Sequence, residues 1–600
     1  MPGISLVSGS GVPEAAASSA LDAVRFTDEY DAQTAISDGR TFLGFSGYPD
    51  YPVRTVETPE ALFVLEGRLY DAEDERRDLR TVGTALLDGR TEEVAAWAGA
   101  RDGDFLLVAY EKDTGAVRIV NDVFARLPVY YATVGDAIVV SRELKFVRDF
   151  AHHVGDAPDM DRLAVAQSLL FGYRLGDRTL FESVRRVPPG SALHVEDDAH
   201  GGEFGVRVDR LHRHDFEGTP HANRSVGENA AELASRFAEA CADRDVPGVP
   251  NVVSMSGGLD SRAVGGGYDA AGVDFTAATF EKPGGANDAD VRLARETAGV
   301  LDVDWEHYRA EGSEAHRADL LEMKQGMNFL AMSFILDFFE QLRDAHGPLV
   351  YVTGDGGDKA LPDITAPRSF SSRRDLAEYV VDAHSIFDPE RAAAIAGLDP
   401  EALVDAVETR LASYPESSYQ GKYVHFLVRE RGINWLNHGE DRNRYYFWSV
   451  SPFYSPRFFR YAMGVPAAQK TGSKLQAAFL DELDPALCAV DDANYGAPVT
   501  SLEHRAKQFA AGLVCRYPAV KRTVAGLLGG GGSPEGLDDA IVAQLRRADR
   551  TPFADEAVAS VLRGEGDYGA RELYNLLTVA AIADREPDEV VEDVAPRLVA

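Results

Sequence analysis

The hexapeptide Ser256-Gly257-Gly258-Leu259-Asp260-Ser261 directly follows the apolar run Val252-Val253-Ser254-Met255. An apolar run that ends in a Ser/Gly turn predicts a buried strand, a tight turn and then a helix. Such a turn presents backbone N–H groups at a helix N-terminus, which suits a phosphate or pyrophosphate group. The glycines let the anion approach the backbone closely. We call Ser256–Ser261 the first loop.

Asp260 places a carboxylate at the mouth of this anion cradle. The carboxylate would repel phosphate unless Mg²⁺ lies between the two groups, so the first loop predicts a metal–nucleotide site. The loop lacks the Gly-Lys-Ser/Thr ending of a Walker A motif. An ordinary Gly-rich turn between a strand and a helix is the alternative interpretation.

A second acidic, Gly-rich loop, Thr353-Gly354-Asp355-Gly356-Gly357-Asp358-Lys359, follows the apolar run Val350–Val352. We call it the second loop. Its glycines allow close approach, and its carboxylates would project from the edge of a sheet. We therefore expect Asp260 and Asp358 to meet around Mg²⁺ and pyrophosphate. A common Asp-Gly turn is the alternative.

The spacing of apolar and turn residues along the chain predicts parts with different secondary structure. Residues 1–210 read as β-rich, with apolar runs separated by turn residues. Residues 211–225 read as a linker, and from about 226 to 365 helices alternate with strands, which predicts a parallel sheet covered by helices. Residues 375–600 read as mostly helical. The boundaries predicted are 1–210, 211–225, 226–520 and 521–600, the last containing the break Gly529–Pro534.

Charge excludes some classes of partner. The 600 residues contain 97 Asp and Glu against 61 Lys and Arg, a formal net charge of −36. A diffuse acidic surface disfavours nucleic acid and anionic membranes as partners. Our hypothesis is a halophilic protein, because salt screens this self-repulsion.

The chain shows no pattern for export or membrane insertion. Three cysteines, Cys241, Cys488 and Cys515, have neither zinc-site spacing nor a disulfide framework, which favours a reducing compartment. Residues 1–20 lack the features of a signal peptide, and no apolar run approaches the roughly 20 residues needed to span a bilayer. We expect a cytoplasmic protein.

Two lysines flank a turn before a predicted amphipathic helix, in Gln469-Lys470-Thr471-Gly472-Ser473-Lys474. Lys474 could stabilise negative charge on a leaving phosphate. A solvated surface lysine is the alternative.

Several motifs, in this order, resemble the asparagine synthetase family. They are Gly3-Ile4, Asp104–Tyr110, Asn121–Tyr131, Ser141–Lys145, Arg186–Gly190, the first loop, Thr279-Phe280, Gly354–Asp358 and Lys474. The resemblance implies a glutaminase-like N-terminal nucleophile-type layered β domain at 1–210. It also implies a doubly wound parallel-sheet ATP-pyrophosphatase domain with a helical C-terminal part, the α/β synthetase unit at 226–520.

The resemblance also implies roles for single residues. Pyrophosphate would be held by Ser256, Gly257, Gly258, Leu259, Asp260 and Ser261, with Gly354, Gly356 and Gly357 completing the nucleotide site. Asp260 and Asp358 would hold Mg²⁺, and the backbone at Thr279 and Phe280 would contact adenine. Asp355 would act as a base or orient the substrate, and Lys474 would act on the adenylation transition state.

The chain departs from the family at its glutaminase site. The family needs Cys directly after the initiator Met as nucleophile, whereas this chain begins Met1-Pro2-Gly3-Ile4. The family's Asn-Gly-Glu segment is here Glu66-Gly67-Arg68, and an acidic Glu66 would oppose a developing oxyanion. We therefore predict no glutaminase activity.

The synthetase half departs too. The family's Arg-x-Pro-Phe-Leu-Asp stretch corresponds to Val450–Ser455, without the Arg and the Asp, and Lys359 replaces an acidic residue. We predict an ATP-dependent, AMP- and pyrophosphate-forming amide ligase that uses ATP and Mg²⁺. It would activate a carboxylate, with aspartate the simplest, and join it to ammonia or an amine.

Two alternatives stay open: a ligase like β-lactam synthetase that closes a ring, and a non-catalytic nucleotide-binding regulator or scaffold. We expect no nucleic-acid or membrane partner, and a homodimer is compatible with the sequence.

Overall fold

The computed structural model describes residues 2–197, 204–282, 285–515, 553–563 and 568–583. The strands form two antiparallel sheets, one parallel sheet and a small two-stranded ribbon. Their bounds are β1 (Gly3–Gly9), β2 (Asp31–Ser37), β3 (Thr41–Gly47), β4 (Val53–Glu57), β5 (Ala61–Leu69), β6 (Gly103–Glu111), β7 (Val117–Asn121), β8 (Tyr130–Val134), β9 (Ala137–Ser141), β10 (Arg185–Arg186), β11 (Ser191–Asp197), β12 (Phe204–Arg210), β13 (Asn251–Ser254), β14 (Thr276–Glu281), β15 (Trp305–Arg309), β16 (Val350–Val352), β17 (Trp448–Val450), β18 (Asp491–Asp492) and β19 (Ala497–Pro498).

Helices cover the sheets and form most of the later part of the described chain. They are α1 (Glu14–Ala23), α2 (Glu75–Leu87), α3 (Thr91–Ala100), α4 (Leu144–His153), α5 (Arg162–Phe171), α6 (Val226–Asp243), α7 (Leu259–Ala270), α8 (Asp288–Val300), α9 (Glu314–Lys324), α10 (Ile335–His346), α11 (Gly357–Ala360), α12 (Arg373–His384), α13 (Pro389–Ala396), α14 (Glu401–Ala412), α15 (Tyr419–Phe426), α16 (Asn437–Asn443), α17 (Pro456–Met463), α18 (Ala467–Lys470), α19 (Lys474–Leu483), α20 (Leu502–Cys515), α21 (Asp555–Leu562) and α22 (Ala570–Ala583). A π-helix, Leu427–Leu436, joins α15 to α16.

The first two sheets form a layered sandwich. Their strand orders are β10-β8-β9-β1-β3-β2 and β12-β11-β7-β6-β5-β4. Leu6 of β1 and Val108 of β6 share one core, so the two sheets pack face to face. Helices α1 and α4 cover the outer face of the first sheet, and α2 and α3 cover that of the second. Strands buried on both faces explain continuous apolar runs such as Phe105–Tyr110.

The predicted parallel sheet is confirmed. Its order is β15-β14-β13-β16-β17, and every neighbouring pair is parallel. The strand order reverses between β13 and β16, because the chain runs outward to β15 on one side before it returns to β16 on the other. Ligands of open parallel sheets bind at this kind of switch point, outside the carboxyl ends of the strands.

Local structure differs from the sequence-based expectation in two places. The helical periodicity of the sequence predicts a single helix over Leu320–Arg343, but α9 ends at Lys324 because Gln325 and Gly326 adopt φ values of 48° and 73°. The polar composition from about His200 to Ser225 predicts a linker, but its first part contains β12, which pairs with β11. The break Gly529–Pro534 lies outside the described residues.

The described helices of the C-terminal extension pack against the rest of the chain. Asn575 on α22 donates hydrogen bonds to the carbonyls of Ser168 (2.7 Å) and Leu169 (3.0 Å) at the end of α5. Within the described ranges, no helix combines the length and the apolar character needed to cross a membrane.

Candidate functional site

A cavity of about 520 Å³ lies over the carboxyl ends of β13 and β16, at the switch point of the parallel sheet. Both loops contribute to its wall, so the tertiary structure brings together two segments about a hundred residues apart. The lining residues are Ser254, Ser256, Gly258, Leu259, Asp260, Ser261, Phe280, Met332, Ile335, Tyr351, Thr353, Gly354, Asp355, Asp358, Pro362, Arg442, Asn443, Ser473, Gln476, Asp492, Asn494, Tyr495 and Gln508.

Serine hydroxyls hold the first loop in shape. Ser256 N donates to Ser261 Oγ at 3.1 Å, the two hydroxyl oxygens lie 3.0 Å apart, and Gly258 N donates to Ser256 Oγ at 3.2 Å. Gly258 is the N-cap of α7 and has no side chain to cap it. The start of α7 therefore faces the cavity with N–H groups that no N-cap side chain covers, which suits an anion.

The two loops pack against each other without space for side chains. A Cβ on Gly354 would lie 2.9 Å from Ser261 N, and one on Gly357 would lie 2.6 Å from Asp260 Oδ1. Gly356 has a φ of 96°, in the region that favours glycine. Gly257, Gly356 and Gly357 do not line the cavity; they allow the backbone behind it to pack closely.

We expect Gly354→Ala to lower the free energy of unfolding by about 1–3 kcal/mol, because the added methyl collides with the backbone of the first loop. Urea unfolding measures this change. Gly299→Ala on α8, where a Cβ meets open space, is the matched control and should be neutral or stabilising by about 1 kcal/mol. Equal stability of Gly354→Ala and the native chain would show that the loops do not pack as described.

Three carboxylates gather where the loops meet. Burial, and then the neighbouring charge of Asp358, raise the pKa of Asp260 to about 8. Burial, and then Glu440, raise the pKa of Asp355 to about 7, although Arg126 and Arg442 oppose this shift. A bound cation would favour the charged forms of these groups.

The carboxylates Asp260 and Asp358 could bind Mg²⁺ if phosphate and water supplied its remaining ligands. Across the described residues, no group of three or more His, Cys, Asp or Glu side chains is placed to hold a metal ion. Mg²⁺ is commonly bound by one or two carboxylates together with substrate phosphates and water, which Asp260 and Asp358 could provide. Lys359 contacts the Asp358 carboxylate and also acts electrostatically on Asp260, so an ammonium group already neighbours both carboxylates.

One wall of the cavity is apolar. Phe280, Met332 and Ile335 line it, which suits a nucleobase. Thr279 does not line the cavity. Its hydroxyl donates to the carbonyl of Met255 (2.9 Å) and accepts from Trp305 Nε1 (3.0 Å), so it ties β14 to the segment that enters the first loop.

The structure separates the two sequence-predicted lysines. Lys474 begins α19, is exposed and does not line the cavity. Lys470 is buried and donates to the carbonyl of Ala360, just beyond the second loop, at 2.7 Å. Burial lowers the pKa of Lys470 to about 7. The role of Lys474 stays a prediction.

Sequence reasoning missed Arg442, which lines the cavity while only 5% exposed. Its Nη2 donates to Asn443 Oδ1 at 3.0 Å, and its Nε has no partner in the described chain. Gln476 was also missed; its amide donates to Asp260 Oδ1 at 3.2 Å. Neither residue belongs to a glycine-rich or acidic motif, so no local pattern indicated them.

A network of buried ion pairs connects the sandwich to α16, the helix that contains Asp441 and Arg442. Arg142 pairs with Glu66 at 2.8 Å and with Asp441 at 2.6 Å, and Asp441 also contacts Lys324. Ile4 N donates to the other oxygen of Glu66 at 2.9 Å. The sequence suggested that Glu66 would oppose an oxyanion. In the structure, both of its carboxylate oxygens bind residues of the protein, namely Arg142 and the backbone of Ile4.

Two further ion pairs join the sandwich to α16 and to Arg444, the residue that follows it. Arg126 pairs with Glu440 at 3.1 Å, and Arg444 pairs with Asp104 at 2.7 Å. Glu440 also accepts a hydrogen bond from the Thr353 hydroxyl at 3.0 Å, at the start of the second loop. Arginines and carboxylates of the sandwich therefore hold α16 against the cavity.

The N-terminal part is similar to known amidotransferases. Residues 51–203 match the glutamine amidotransferase domain family. Asparagine synthetase [glutamine-hydrolyzing] 3 of Bacillus subtilis (strain 168) is 25% identical over 239 residues, which are 37% of this chain and 35% of that protein. The chain thus matches about a third of the length of this relative. Residues 51–203 are therefore similar to a glutamine amidotransferase domain, and part of the chain is similar to an asparagine synthetase.

Solved structures show only distant likeness. Glutamine phosphoribosylpyrophosphate amidotransferase from B. subtilis, complexed with ADP and GMP, is 11% identical with a TM-score of 0.25, covering 70% of this chain and 94% of that one. The allosteric regulatory enzyme of purine biosynthesis is 12% identical with a TM-score of 0.24, covering 71% and 94%.

Proposed function

We propose that this protein is an ATP-dependent carbon–nitrogen ligase. A substrate carboxylate oxygen would attack the α-phosphorus of ATP and release pyrophosphate. Ammonia or an amine would then attack the acyl carbon, release AMP and lose a proton. The observation that carries this proposal is the meeting of the two Gly/Asp loops at the switch point of a parallel sheet.

Residues of the two loops would bind and orient the nucleotide. The N–H groups at the start of α7 would hold pyrophosphate, and Phe280 would contact the base. Asp260 and Asp358 would hold Mg²⁺, which when bound would offset charge on the phosphates. Asp355, with its pKa raised to about 7, could accept the proton of the attacking amine near neutral pH.

We further propose that the amidotransferase-type domain does not hydrolyse glutamine. Pro2 has neither a thiol nor a hydroxyl, and it is buried. The Glu66 carboxylate is held by Arg142 and by the backbone of Ile4. The domain would instead support α16 through its ion pairs.

Pyrophosphate release tests both proposals. The full chain, with Mg-ATP in concentrated KCl, is given a panel of carboxylates, aspartate first, each with ammonium, with glutamine, or with neither. We expect release with one carboxylate plus ammonium, and no glutamate from glutamine. Release with a carboxylate that carries its own amine, without ammonium, would indicate a ring-closing ligase like β-lactam synthetase. Glutamate formation that stops when the sandwich is altered would contradict the second proposal.

The contact between Lys359 and Asp358 favours a second candidate, a non-catalytic nucleotide-binding regulator. The ammonium offsets charge that Mg²⁺ would otherwise offset. Tight ATP binding without pyrophosphate release across the panel would support this candidate over the ligase.

A further inference from the structure

A second cavity, of about 100 Å³, lies where the segment after β12 meets the end of α14 and the π-helix. Four arginines line it: Arg210, Arg213, Arg410 and Arg429. Its lining includes no Asp or Glu, although the chain carries a formal net charge of −36. The cavity is therefore a concentrated positive site in an acidic protein.

Arg429 is the deepest of these cations. It is 5% exposed, its Nη1 donates to Asn434 Oδ1 at 2.8 Å, and its Nε has no partner in the described chain. Arg410, by contrast, pairs with Glu430 at 2.5 Å. Glu430, the carboxylate that pairs with Arg410, also acts electrostatically on Arg429, so the two guanidinium groups share one carboxylate. An added anion would offset the remaining positive charge.

The mouth of the cavity carries further unpaired charge. Arg210 and Arg213 are exposed, and neither forms an ion pair with any residue that the structure describes. The three histidines of the lining add polarity without charge, because burial lowers the pKa of His425, that of His212 to about 4 and that of His214 to about 3. The positive charge therefore comes from the four arginines, and it is opposed by Glu430, which pairs with Arg410, and by Glu416, which contacts His425.

Size limits the ligand to one small group. The cavity has a volume of about 100 Å³, against about 520 Å³ for the cavity at the two loops, which suits one small group such as a tetrahedral oxyanion. Arginine forks match the oxygen geometry of phosphate.

We propose that this cavity binds a phosphate group, with Arg429 at its base and Arg210 and Arg213 at its mouth. The phosphate is either free or the end of a small phosphorylated compound whose remainder projects into solvent. The site is separate from the first loop and shares no lining residue with the cavity there.

Calorimetric titration of the full chain with inorganic phosphate, in KCl at constant ionic strength, tests the proposal. The double variant Arg210→Met/Arg213→Met changes only exposed residues, so it should fold. We expect it to weaken one class of phosphate binding by about tenfold or more, because charge-assisted hydrogen bonds are lost. Arg429→Met should act in the same direction. Arg292→Met, an exposed arginine on α8, is the control and should titrate like the native chain.

Phosphate bound at the first loop would contribute equally to the isotherms of the native chain and of every variant. A difference between isotherms therefore reports on the arginine-lined cavity. Identical isotherms for the native chain and the double variant would overturn the proposal, as would the absence of saturable phosphate binding. A parallel titration with glycerol 3-phosphate distinguishes the sources. If glycerol 3-phosphate binds more tightly than inorganic phosphate, and the double variant loses this binding, the ligand is a phosphorylated compound. If glycerol 3-phosphate binds more weakly, the ligand is free phosphate.

Discussion

Asp260→Asn is expected to lower the rate of pyrophosphate release by about 10²–10³-fold, because it removes the carboxylate placed between the two loops. The neutral amide keeps the shape of the side chain but cannot bind Mg²⁺ as a carboxylate does. Pyrophosphate release at saturating ATP and varied Mg²⁺ measures the effect. Asp269→Asn, exposed on the same helix α7, is the control and should retain the native rate.

Stability separates a catalytic effect from misfolding in this experiment. Burial raises the pKa of Asp260 to about 8, which means that the fold favours its neutral form. An asparagine should therefore leave the free energy of unfolding unchanged or higher. A stable Asp260→Asn variant with native activity would remove Asp260 from the proposed metal site.

Arg142→Met is expected to lower the free energy of unfolding by about 3–5 kcal/mol, because it leaves Glu66 and Asp441 buried with one partner fewer. Both carboxylates are fully buried, so water cannot replace the lost guanidinium. Urea unfolding, followed by fluorescence, measures the change.

Two further variants sharpen this prediction. Arg90→Met removes the surface ion pair between Arg90 and Glu93, whose side chains are 44% and 50% exposed. We expect it to lower the free energy of unfolding by at most about 1 kcal/mol. Glu66→Gln combined with Arg142→Met should recover part of the loss, since it removes one uncompensated charge. If Arg142→Met costs no more than Arg90→Met, the network does not stabilise the fold.

Much of the parallel sheet could be predicted because the information is local. An apolar run followed by Ser, Gly and Asp predicted the strand, turn and helix that the structure shows as β13, the first loop and α7. The same reasoning predicted β16 and its following turn. Hydrophobic periodicity and glycine placement act within a few residues, so one sequence reveals them.

Other features had no recognisable signal in the local sequence. The end of α9 follows from the left-handed backbone at Gln325, a residue type that rarely marks such a position. Lys474 and Lys470 look alike in sequence, yet one is exposed and the other buried, because the turn between them places only Lys470 under the second loop. The exposure of a lysine depends on what packs against it.

The sequence by itself determined the acidic character of the chain and the strand–loop–helix units around Asp260 and Asp358. Only the tertiary structure decided which charges meet. It paired Arg142 with Glu66 and Asp441, placed Arg442 in the wall of the cavity at the two loops and gathered Arg429 with three other arginines around a second cavity. The physical reason is that periodicity and turn chemistry act over a few residues, whereas burial and ion pairing depend on segments that folding brings together.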